Sequence, residues 1–245
     1  MKKLNILLIA VVLFTFNAVV YAQDDTLGGY LRKDEKLLIS LEQVINPKHT
    51  ALVMIDMQND FIYGPGKTAP TPGKPLNANE RVVSNVIKFV EACRKANVPI
   101  FWVILHHGRD VDLPSYKAMR ARSKRLPIVM EGTKGAEIVS GLVPKDPERI
   151  FVKHGYDGFA DTGLDTALQN KGITTIILGG VNTNLCVDAT LKHGFHLGYY
   201  VVAGSDIMAT TEEGAQEMWL KNFETFYGLV ANSEQMTKIW GVKAE

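Results

Sequence analysis

Apolar and polar positions alternate in blocks along most of the chain, a pattern typical of strands followed by helices. Apolar runs predict five buried strands and a short further run near the end, at 50–56, 99–105, 149–153, 174–181, 199–203 and 229–231. Helical spacing predicts helices at 79–96, 163–171 and 211–226, one after residue 182, and a last one from Ser233. Strands alternating with helices, without a linker, predict one α/β domain at 49–245 with a mostly parallel sheet.

The segment from Thr174 to Leu191 carries the clearest chemical signal of these elements. It predicts a buried strand, a turn containing glycine, and a helix with Cys186 in its first turn, capped by Thr183 or Asn184. A helix N-terminus favours a thiolate, so we expect the pKa of Cys186 to be lowered. Ligands bind at the carboxyl ends of parallel strands, which makes this cysteine a candidate nucleophile.

The first 22 residues have the pattern of a signal peptide. Two lysines precede an apolar stretch from Ile6 to Phe16, and Val20-Tyr21-Ala22 resembles a small-residue cleavage site. We therefore expect an exported protein, periplasmic or extracellular, with no stable membrane association after cleavage. Residues 23–48 predict an N-terminal arm, with a short helix at 37–44, that packs on the body or on a neighbouring subunit of a homo-oligomer.

Two polar segments separate the first strands. Residues 62–75 are rich in proline and glycine, and a loop of this length in a compact domain is often functional. Residues 106–127 are polar and irregular, and their basic patch at 117–125 is interpreted as a solvated face.

Composition narrows the class of protein. The chain has 245 residues, 46% hydrophobic and 22% charged, with a formal net charge of +1 and no basic run interleaved with aromatics, so nucleic-acid binding has no support. Of its two cysteines, Cys93 lies in the middle of a predicted helix, so we expect it in the core and expect no disulfide to Cys186.

Three predicted strands end in chemically reactive residues: Asp56, Lys153 and Cys186. The carboxyl ends of parallel strands meet at one edge of a sheet, so these side chains are expected to converge. A carboxylate that takes the thiol proton, a lysine that holds both anions and a sulfur that attacks a carbonyl form a coherent nucleophilic site.

The motifs Asp56-Met-Gln-Asn-Asp-Phe61, Lys153 before Tyr156-Asp-Gly-Phe159, and Gly180-Val-Asn-Thr-Asn-Leu-Cys186 resemble the isochorismatase-like cysteine hydrolase superfamily over residues 48–238. The resemblance implies a three-layer sandwich with six strands in the order 3-2-1-4-5-6, and a catalytic triad of the three strand-end residues. It also implies a cis peptide bond between Val181 and Asn182. The N–H groups of Asn182 and Cys186 would then form an oxyanion hole.

Within that superfamily, the segments 155–165 and 183–188 look most like the biuret and ureidoacrylate amidohydrolase branch. The resemblance implies a small amide or ureide substrate and adds four candidate substrate-binding residues: Gln58, Asn59, Phe61 and Gln216. Nicotinamidases carry a metal-binding Asp-x-His after the second strand. Here His106 and His107 do not match that spacing, so we expect neither a metal nor another cofactor.

Other functions stay open at this point. An isochorismatase-type hydrolase of vinyl ethers or a nicotinamidase-type enzyme has the same fold, although Cys186 favours amide chemistry. A secreted protein that binds ligands on this fold without activity is the non-enzymatic alternative. A phosphatase is disfavoured because Gln58 stands where such sites usually have a second aspartate, and dinucleotide binding because 179–181 lacks the G-x-G-x-x-G spacing.

Overall fold

A computed structural model describes residues 30–31, 36–125 and 127–243. Residues 39–245 form one compact unit, which contains every strand and helix named below. The predicted signal peptide and most of the predicted arm lie outside the described residues. Within the described part of the chain, no helix has the length and apolar character needed to cross a membrane.

Six strands form the sheet of the described chain. They are β1 (Thr50–Ile55), β2 (Ile100–Leu105), β3 (Arg149–Lys153), β4 (Thr175–Val181), β5 (Tyr200–Ala209) and β6 (Leu229–Ala231). All pair in parallel, in the order β3-β2-β1-β4-β5-β6, which confirms the predicted order. The register places Ile55 of β1 beside Gly180 of β4, and Leu105 of β2 beside Lys153 of β3, so the strand ends lie along one edge.

Helices cover both faces of the sheet. They are α1 (Leu41–Val44), α2 (Asn59–Ile62), α3 (Ala78–Lys95), α4 (Pro114–Ser123), α5 (Leu164–Gln169), α6 (Asp188–His196), α7 (Ala215–Phe226) and α8 (Ser233–Trp240). α3 and α8 pack on each other and on β5. α6 and α7 also pack on β5. Leu164 and Leu168 of α5 belong to the same buried apolar cluster as Leu191 of α6. The result is a three-layer α/β domain.

Local sequence explains where the helices on the first face begin. At the start of α3, Asn77 and Glu80 form a capping box in which each side chain bonds the other's backbone N–H. Asn232 and Gln235 do the same for α8, and Gly241 ends that helix at a φ of 67°. Each capping box fixes where its helix begins, and the two helices pack on each other through Phe89 and Trp240, which stack with their ring centroids 5.6 Å apart.

Burial differs between the central and edge strands. β1, β2 and β4 are buried at every position, as expected for strands covered on both faces. On the edge strand β3, only Phe151 and Lys153 are buried. Because side chains of a strand alternate between faces, Lys153 shares the core side with Phe151.

The polar segment at 106–127 differs from its prediction. It contains α4, with Pro114 at a first-turn position that suits proline. None of the described residues of α4 is buried, so the sequence has no apolar periodicity that would indicate a helix here. The interpretation of 106–127 as irregular was wrong.

Cys93 lies in α3 with no exposed surface, and both cysteines are free, as predicted. Burial raises the pKa of the Cys93 thiol well above its ordinary value. A protonated thiol in a packed helix behaves as a small apolar side chain.

Candidate active site

An ion pair between Asp56 and Lys153 forms the centre of the site. The Lys153 ammonium donates to Asp56 Oδ2 at 2.8 Å and to the carbonyl oxygen of Gly155 at 2.9 Å. Both paired side chains have 0% exposure. A buried lysine is rare without a partner, and here the carboxylate and the carbonyl of the following loop supply its acceptors.

Asp56 holds its position through its backbone. It follows the last residue of β1 at a φ of 52°, a conformation that aspartate tolerates better than most residues. Its N–H donates to Val103 in β2, and its carbonyl accepts from the N–H of Gln58. The turn therefore fixes the carboxylate where the sheet ends.

Cys186 lies beside this pair, in a π-helical turn at Thr183–Val187 between β4 and α6. The thiol is close enough to Asp56 and Lys153 for both to affect its pKa. π-helical turns are rare and often occur at functional sites. The three strand-end residues therefore converge as the topology predicted. The turn is preceded by Asn182 and has no side-chain cap, so the predicted cap from Thr183 or Asn184 was wrong.

The pKa of Cys186 is raised, contrary to the prediction of a lowered value. Burial is the largest cause, since the residue is 4% exposed, and the charge of Asp56 adds to it, while Lys153 opposes both. Desolvation disfavours the charged form of a thiol. Burial therefore favours the protonated thiol, against the expected effect of the helix N-terminus.

Burial also raises the pKa of Asp56, although Lys153 and Cys186 oppose this shift. For Lys153, burial alone would lower the pKa, but the interactions with Asp56 and Cys186 outweigh it, and the pKa lies above its usual value. Asp56 Oδ1 is buried and accepts no hydrogen bond. A carboxylate with raised basicity and a vacant lone pair is well suited to accept the thiol proton.

β4 reaches the site through a close approach to β1. Gly180 has a φ of 111°, and a Cβ built there would lie 1.9 Å from the carbonyl oxygen of Ile55. Only glycine fits this contact. The peptide bond between Val181 and Asn182 that follows is cis, as the family resemblance implied.

Asn79, which sequence reasoning missed, holds Asn182. Its side-chain amide donates to Asn182 Oδ1 at 2.9 Å and to the carbonyl oxygen of Phe61 at 3.0 Å. Asn79 is buried in the first turn of α3, on the same face as Val82 and Val86. The contact fastens the turn before Cys186 to the start of a long helix.

A threonine links the far side of the cysteine to the loop after β3. Thr190 Oγ1 donates to the Cys186 carbonyl oxygen at 2.7 Å and accepts from the Gly158 N–H at 2.8 Å. The loop that follows Lys153 is therefore coupled to the turn that carries the sulfur.

The structure gives Gln58 a different role from the predicted one. Gln58 is fully buried and bonds the backbone of Leu105 through both its oxygen and its nitrogen, and also the carbonyl oxygen of Ala136. These bonds tie the end of β1 to the end of β2. This geometry supports a structural role, with no amide group left for substrate.

Asn59 and Phe61, two further predicted substrate-binding residues, have different surroundings. Asn59 donates to the carbonyl oxygen of Lys134, and its own Oδ1 is buried without a partner beside a cavity of about 320 Å³. Phe61 packs on a small core cluster of Leu105, Val129 and Ala136. These contacts are structural, and a contact of either residue with substrate stays a prediction.

Gln216, at the start of α7, bonds the turn that carries Cys186. Its oxygen accepts from the Thr183 hydroxyl, and its nitrogen donates to the Met208 carbonyl oxygen at 3.1 Å. The amide therefore joins α7, β5 and the π-helical turn. Its predicted contact with substrate remains a prediction.

A second missed group lies between α4 and the end of β2. His107 is 1% exposed; its Nδ1 bonds Asp112 Oδ1 at 2.7 Å, and its ring stacks on Tyr116 with centroids 4.4 Å apart. Tyr116 accepts from Arg120 at 3.1 Å. Burial lowers the pKa of His107. The bond to Asp112 raises it and the charge of Arg120 lowers it, and the pKa lies below its usual value overall.

This group is adjacent to the reactive residues. The charge of Lys153 lowers the pKa of His107 further, and that of Cys186 contributes to the raised pKa of Tyr116, whose main cause is burial. In the sequence, the adjacent residues His106 and His107 were the signal for this group, but they were compared only with the spacing of a metal-binding motif. Among the described residues, no three or more His, Cys, Asp or Glu side chains lie close enough to hold a metal ion.

The parallel sheet and the strand-end cluster of cysteine, carboxylate and lysine define a class of α/β hydrolase. The family model of the isochorismatase domain matches residues 50–235, so the chain belongs to the isochorismatase family. This confirms the resemblance drawn from the three sequence motifs.

The ureidoacrylate amidohydrolase RutB of Enterobacter sp. is 33% identical over 201 residues, covering 76% of this chain and 86% of its own. RutB of Methylobacterium radiotolerans is 28% identical over 219 residues, covering 81% and 82%. Among solved structures, N-carbamoylsarcosine amidase from Thermoplasma acidophilum is 28% identical with a TM-score of 0.63, covering 76% of this chain and 97% of that one. The chain is thus similar to enzymes named for ureide substrates.

Proposed function

We propose that this protein is a cysteine-dependent amidohydrolase that cleaves a C–N bond of a small amide or ureide and releases ammonia or an amine. The observation that carries the proposal is the buried cluster in which a thiol, a carboxylate and an ammonium group meet at the ends of three strands. Family membership and the ureidoacrylate amidohydrolase relatives support a hydrolase acting on carbon–nitrogen bonds.

In the first half of the reaction, the Cys186 sulfur adds to the substrate carbonyl carbon while its proton passes to Asp56. The raised pKa values of both groups favour this order, because the thiol keeps its proton until attack and the carboxylate is a stronger base than usual. Lys153 stays protonated and balances the negative charge. The N–H groups of Asn182 and Cys186 are proposed to hold the oxyanion.

Collapse of the tetrahedral adduct breaks the C–N bond, and Asp56 returns the proton to the departing nitrogen. The enzyme then carries a thioester or, from a ureide, its carbamoyl-thio counterpart. In the second half, Asp56 takes a proton from water, and the resulting hydroxide adds to the acyl carbon. Release of the acid or carbamate restores the Cys186 thiol with that proton.

Ammonia and amine release from ureides and simple amides tests the proposal. We expect Cys186→Ala and Asp56→Asn each to lower kcat/KM by at least about 10³-fold, because each removes a group that no neighbour replaces. Thermal melts establish that the variants are folded. Acid-quenched wild-type enzyme should carry an acyl adduct on Cys186 in a mass spectrum. Substantial turnover by folded Cys186→Ala would overturn the mechanism.

We also propose that the protein is exported after cleavage near Ala22, on the strength of the charged and apolar pattern at 1–22. Mass spectrometry of the N-terminus of native protein tests this. A mature chain that begins at Met1 or Lys2 would contradict export. Light scattering of the same sample tests the predicted homo-oligomer, a dimer or a tetramer.

A further inference from the structure

The loop at 154–163, between β3 and α5, bonds both the lysine of the strand-end cluster and the helix that follows the cysteine. The Lys153 ammonium donates to the carbonyl oxygen of Gly155 at 2.9 Å. Three residues further along, the N–H of Gly158 donates to Thr190 Oγ1 in α6 at 2.8 Å. One short loop therefore connects the residue that carries the positive charge with the helix that begins after Cys186.

The hydroxyl of Thr190 completes this connection. It donates to the Cys186 carbonyl oxygen at 2.7 Å while it accepts from Gly158. A threonine hydroxyl has one proton to donate and can accept at the same time, so one side chain serves both bonds. Thr190 has 0% exposure, so bulk water does not compete for either bond. The turn that carries the sulfur and the loop that accepts from Lys153 thus share a single buried side chain.

The absence of a side chain at Gly158 allows the loop to approach this closely. A Cβ built at Gly158 would lie 3.0 Å from Thr190 Cγ2, 3.1 Å from Thr190 Oγ1 and 3.3 Å from Val103 Cγ1. These separations are shorter than ordinary van der Waals contacts, so a larger residue would push the loop away from α6. The carbonyl oxygen of Gly158 accepts from the Thr162 hydroxyl at 2.7 Å, so threonines bond both polar groups of this glycine.

A second contact holds the loop on α6 without reaching the cysteine. Asp157 Oδ2 bonds Nδ1 of His193, and Asp157 Oδ1 accepts from the Phe159 N–H at 2.9 Å. The side chains of Asp157 and His193 are both partly exposed. This outer contact involves no atom of Cys186, whereas the Thr190 hydroxyl bonds the loop and Cys186 at once. The two contacts therefore differ in what they can align.

We propose that Thr190 is a positioning residue for the reaction at Cys186. Its hydroxyl keeps the turn that carries the sulfur in register with the loop that accepts from Lys153, so that the thiol, the carboxylate and the ammonium group stay within reach of one another. A misplacement of about 1 Å can lower a catalytic rate about 10²-fold. This inference rests on the proposed amidohydrolase function, and it adds how the fold keeps the reactive groups aligned.

Thr190→Val tests the inference because it keeps the shape of the side chain and removes both hydrogen bonds. We expect kcat for ammonia or amine release to fall at least about tenfold while KM stays within about threefold, since the substitution changes alignment and makes no contact with substrate. Thr190→Ser restores the hydroxyl and should return kcat to within about threefold of the wild-type value. Wild-type kcat in Thr190→Val, or a Thr190→Ser enzyme as slow as Thr190→Val, would overturn the inference.

Thr50→Val is the matched control for loss of stability. Thr50 also has 0% exposure, and its hydroxyl donates to the Asn46 carbonyl oxygen at 2.8 Å. It begins β1, at the opposite end of the strand from Asp56. Both substitutions should lower the melting temperature by about 2–6 °C, but Thr50→Val should leave kcat unchanged. An equal loss of kcat in the two variants would show that Thr190 acts through stability alone.

Gly158→Ala tests the same connection from the loop, and it decides the question even if Thr190→Val does not fold. The added methyl group should displace the loop and lower kcat about three- to tenfold. Because Thr190→Ser removes Cγ2, the nearest atom to the new methyl group, the double variant should regain part of that loss. Full activity in Gly158→Ala, or no recovery in the double variant, would contradict the proposed alignment.

Alkylation of Cys186 separates this inference from the amidohydrolase proposal. Because Thr190 aligns the sulfur with the carboxylate that accepts its proton, iodoacetamide should modify Cys186 at least about threefold more slowly in Thr190→Val than in wild-type protein, and at the wild-type rate in Thr50→Val. Peptide mass spectrometry locates the modified cysteine. Wild-type protein that hydrolyses no amide or ureide, combined with this difference in alkylation, would contradict the amidohydrolase function and support the alignment. Turnover by wild-type protein, combined with equal alkylation rates in all three proteins, would support the function and overturn the alignment.

Discussion

Two neighbouring regions of this protein meet at the same site but are built differently. The cluster of Asp56, Lys153 and Cys186 has almost no exposed surface, and each member follows or ends a strand of the sheet. The adjoining helix α4 has no buried residue among those described, and most of its charged side chains reach solvent. One region is held by backbone packing and the other by a few side-chain contacts.

The difference sets how much a substitution should cost in each region. In the proposed mechanism, the groups that transfer protons are held within hydrogen-bonding distance by the sheet, where a small shift would lower the rate. The residues of α4 lie at the surface, where substitutions usually change stability little. The predictions below compare the two regions, beginning with the largest effect.

Lys153→Met should have the largest effect on stability. It leaves the Asp56 carboxylate buried without its cation, which typically costs about 3–5 kcal/mol at neutral pH. Chemical denaturation measures the free energy of unfolding. Because burial already raises the pKa of Asp56, protonation relieves the unpaired charge, so the loss should shrink as the pH falls through the folded-state pKa of this carboxyl. A loss independent of pH would contradict this account.

Gly180→Ala should destabilise the protein by at least about 3 kcal/mol, because the new methyl group overlaps the Ile55 carbonyl oxygen and the φ of 111° is strained for alanine. In α4, the exposed Ala118→Gly is the matched backbone change and should cost about 1 kcal/mol or less. Thermal melts compare the two variants. Equal losses would mean that α4 is as tightly constrained as the sheet.

Asn79→Ala removes both hydrogen bonds that fasten the Asn182 turn, and we expect about a tenfold loss of kcat with a stability loss of about 1–2 kcal/mol. Steady-state kinetics and melts measure the two effects. Asn79→Asp, which keeps the shape, should also lose activity because it has no amide donor. Full activity in either variant would show that the turn holds Asn182 without this side chain.

The smallest effect concerns the reactivity of the thiol. Since burial raises the pKa of Cys186, iodoacetamide should modify it at pH 7.5 at least about tenfold more slowly than a free cysteine, and the rate should still rise above pH 9. The time course of inactivation measures this rate, with a small peptide thiol as reference. A rate that levels off below pH 8 would indicate a resting thiolate.

The same contrast explains how much of the molecule was predictable. β3 and β6 match their predicted limits, because each is a short run of strand length rich in apolar residues. The three strand-end residues were predictable because parallel topology places such ends at one edge. Helix α4 lacks an apolar stripe, so no periodicity distinguished it from a loop.

Hydrogen bonds between segments that are distant in the sequence could not be predicted either. Asn79 and Thr190 occupy ordinary helical positions, and their bonds to Asn182 and Cys186 depend on the packing of the whole domain. The pKa of Cys186 was misjudged for a similar reason. The helix position was visible in the sequence, whereas the loss of hydration around the sulfur was not.

The burial of both sulfurs has a consequence for survival in oxidising surroundings. Peroxides attack accessible thiolates, so a sulfur that is 4% exposed and whose pKa is raised, such as that of Cys186, is a poor target for conversion to sulfenic acid. Cys93 is enclosed within α3, and its pKa is raised as well. The fold therefore shields two sulfhydryl groups that form no disulfide.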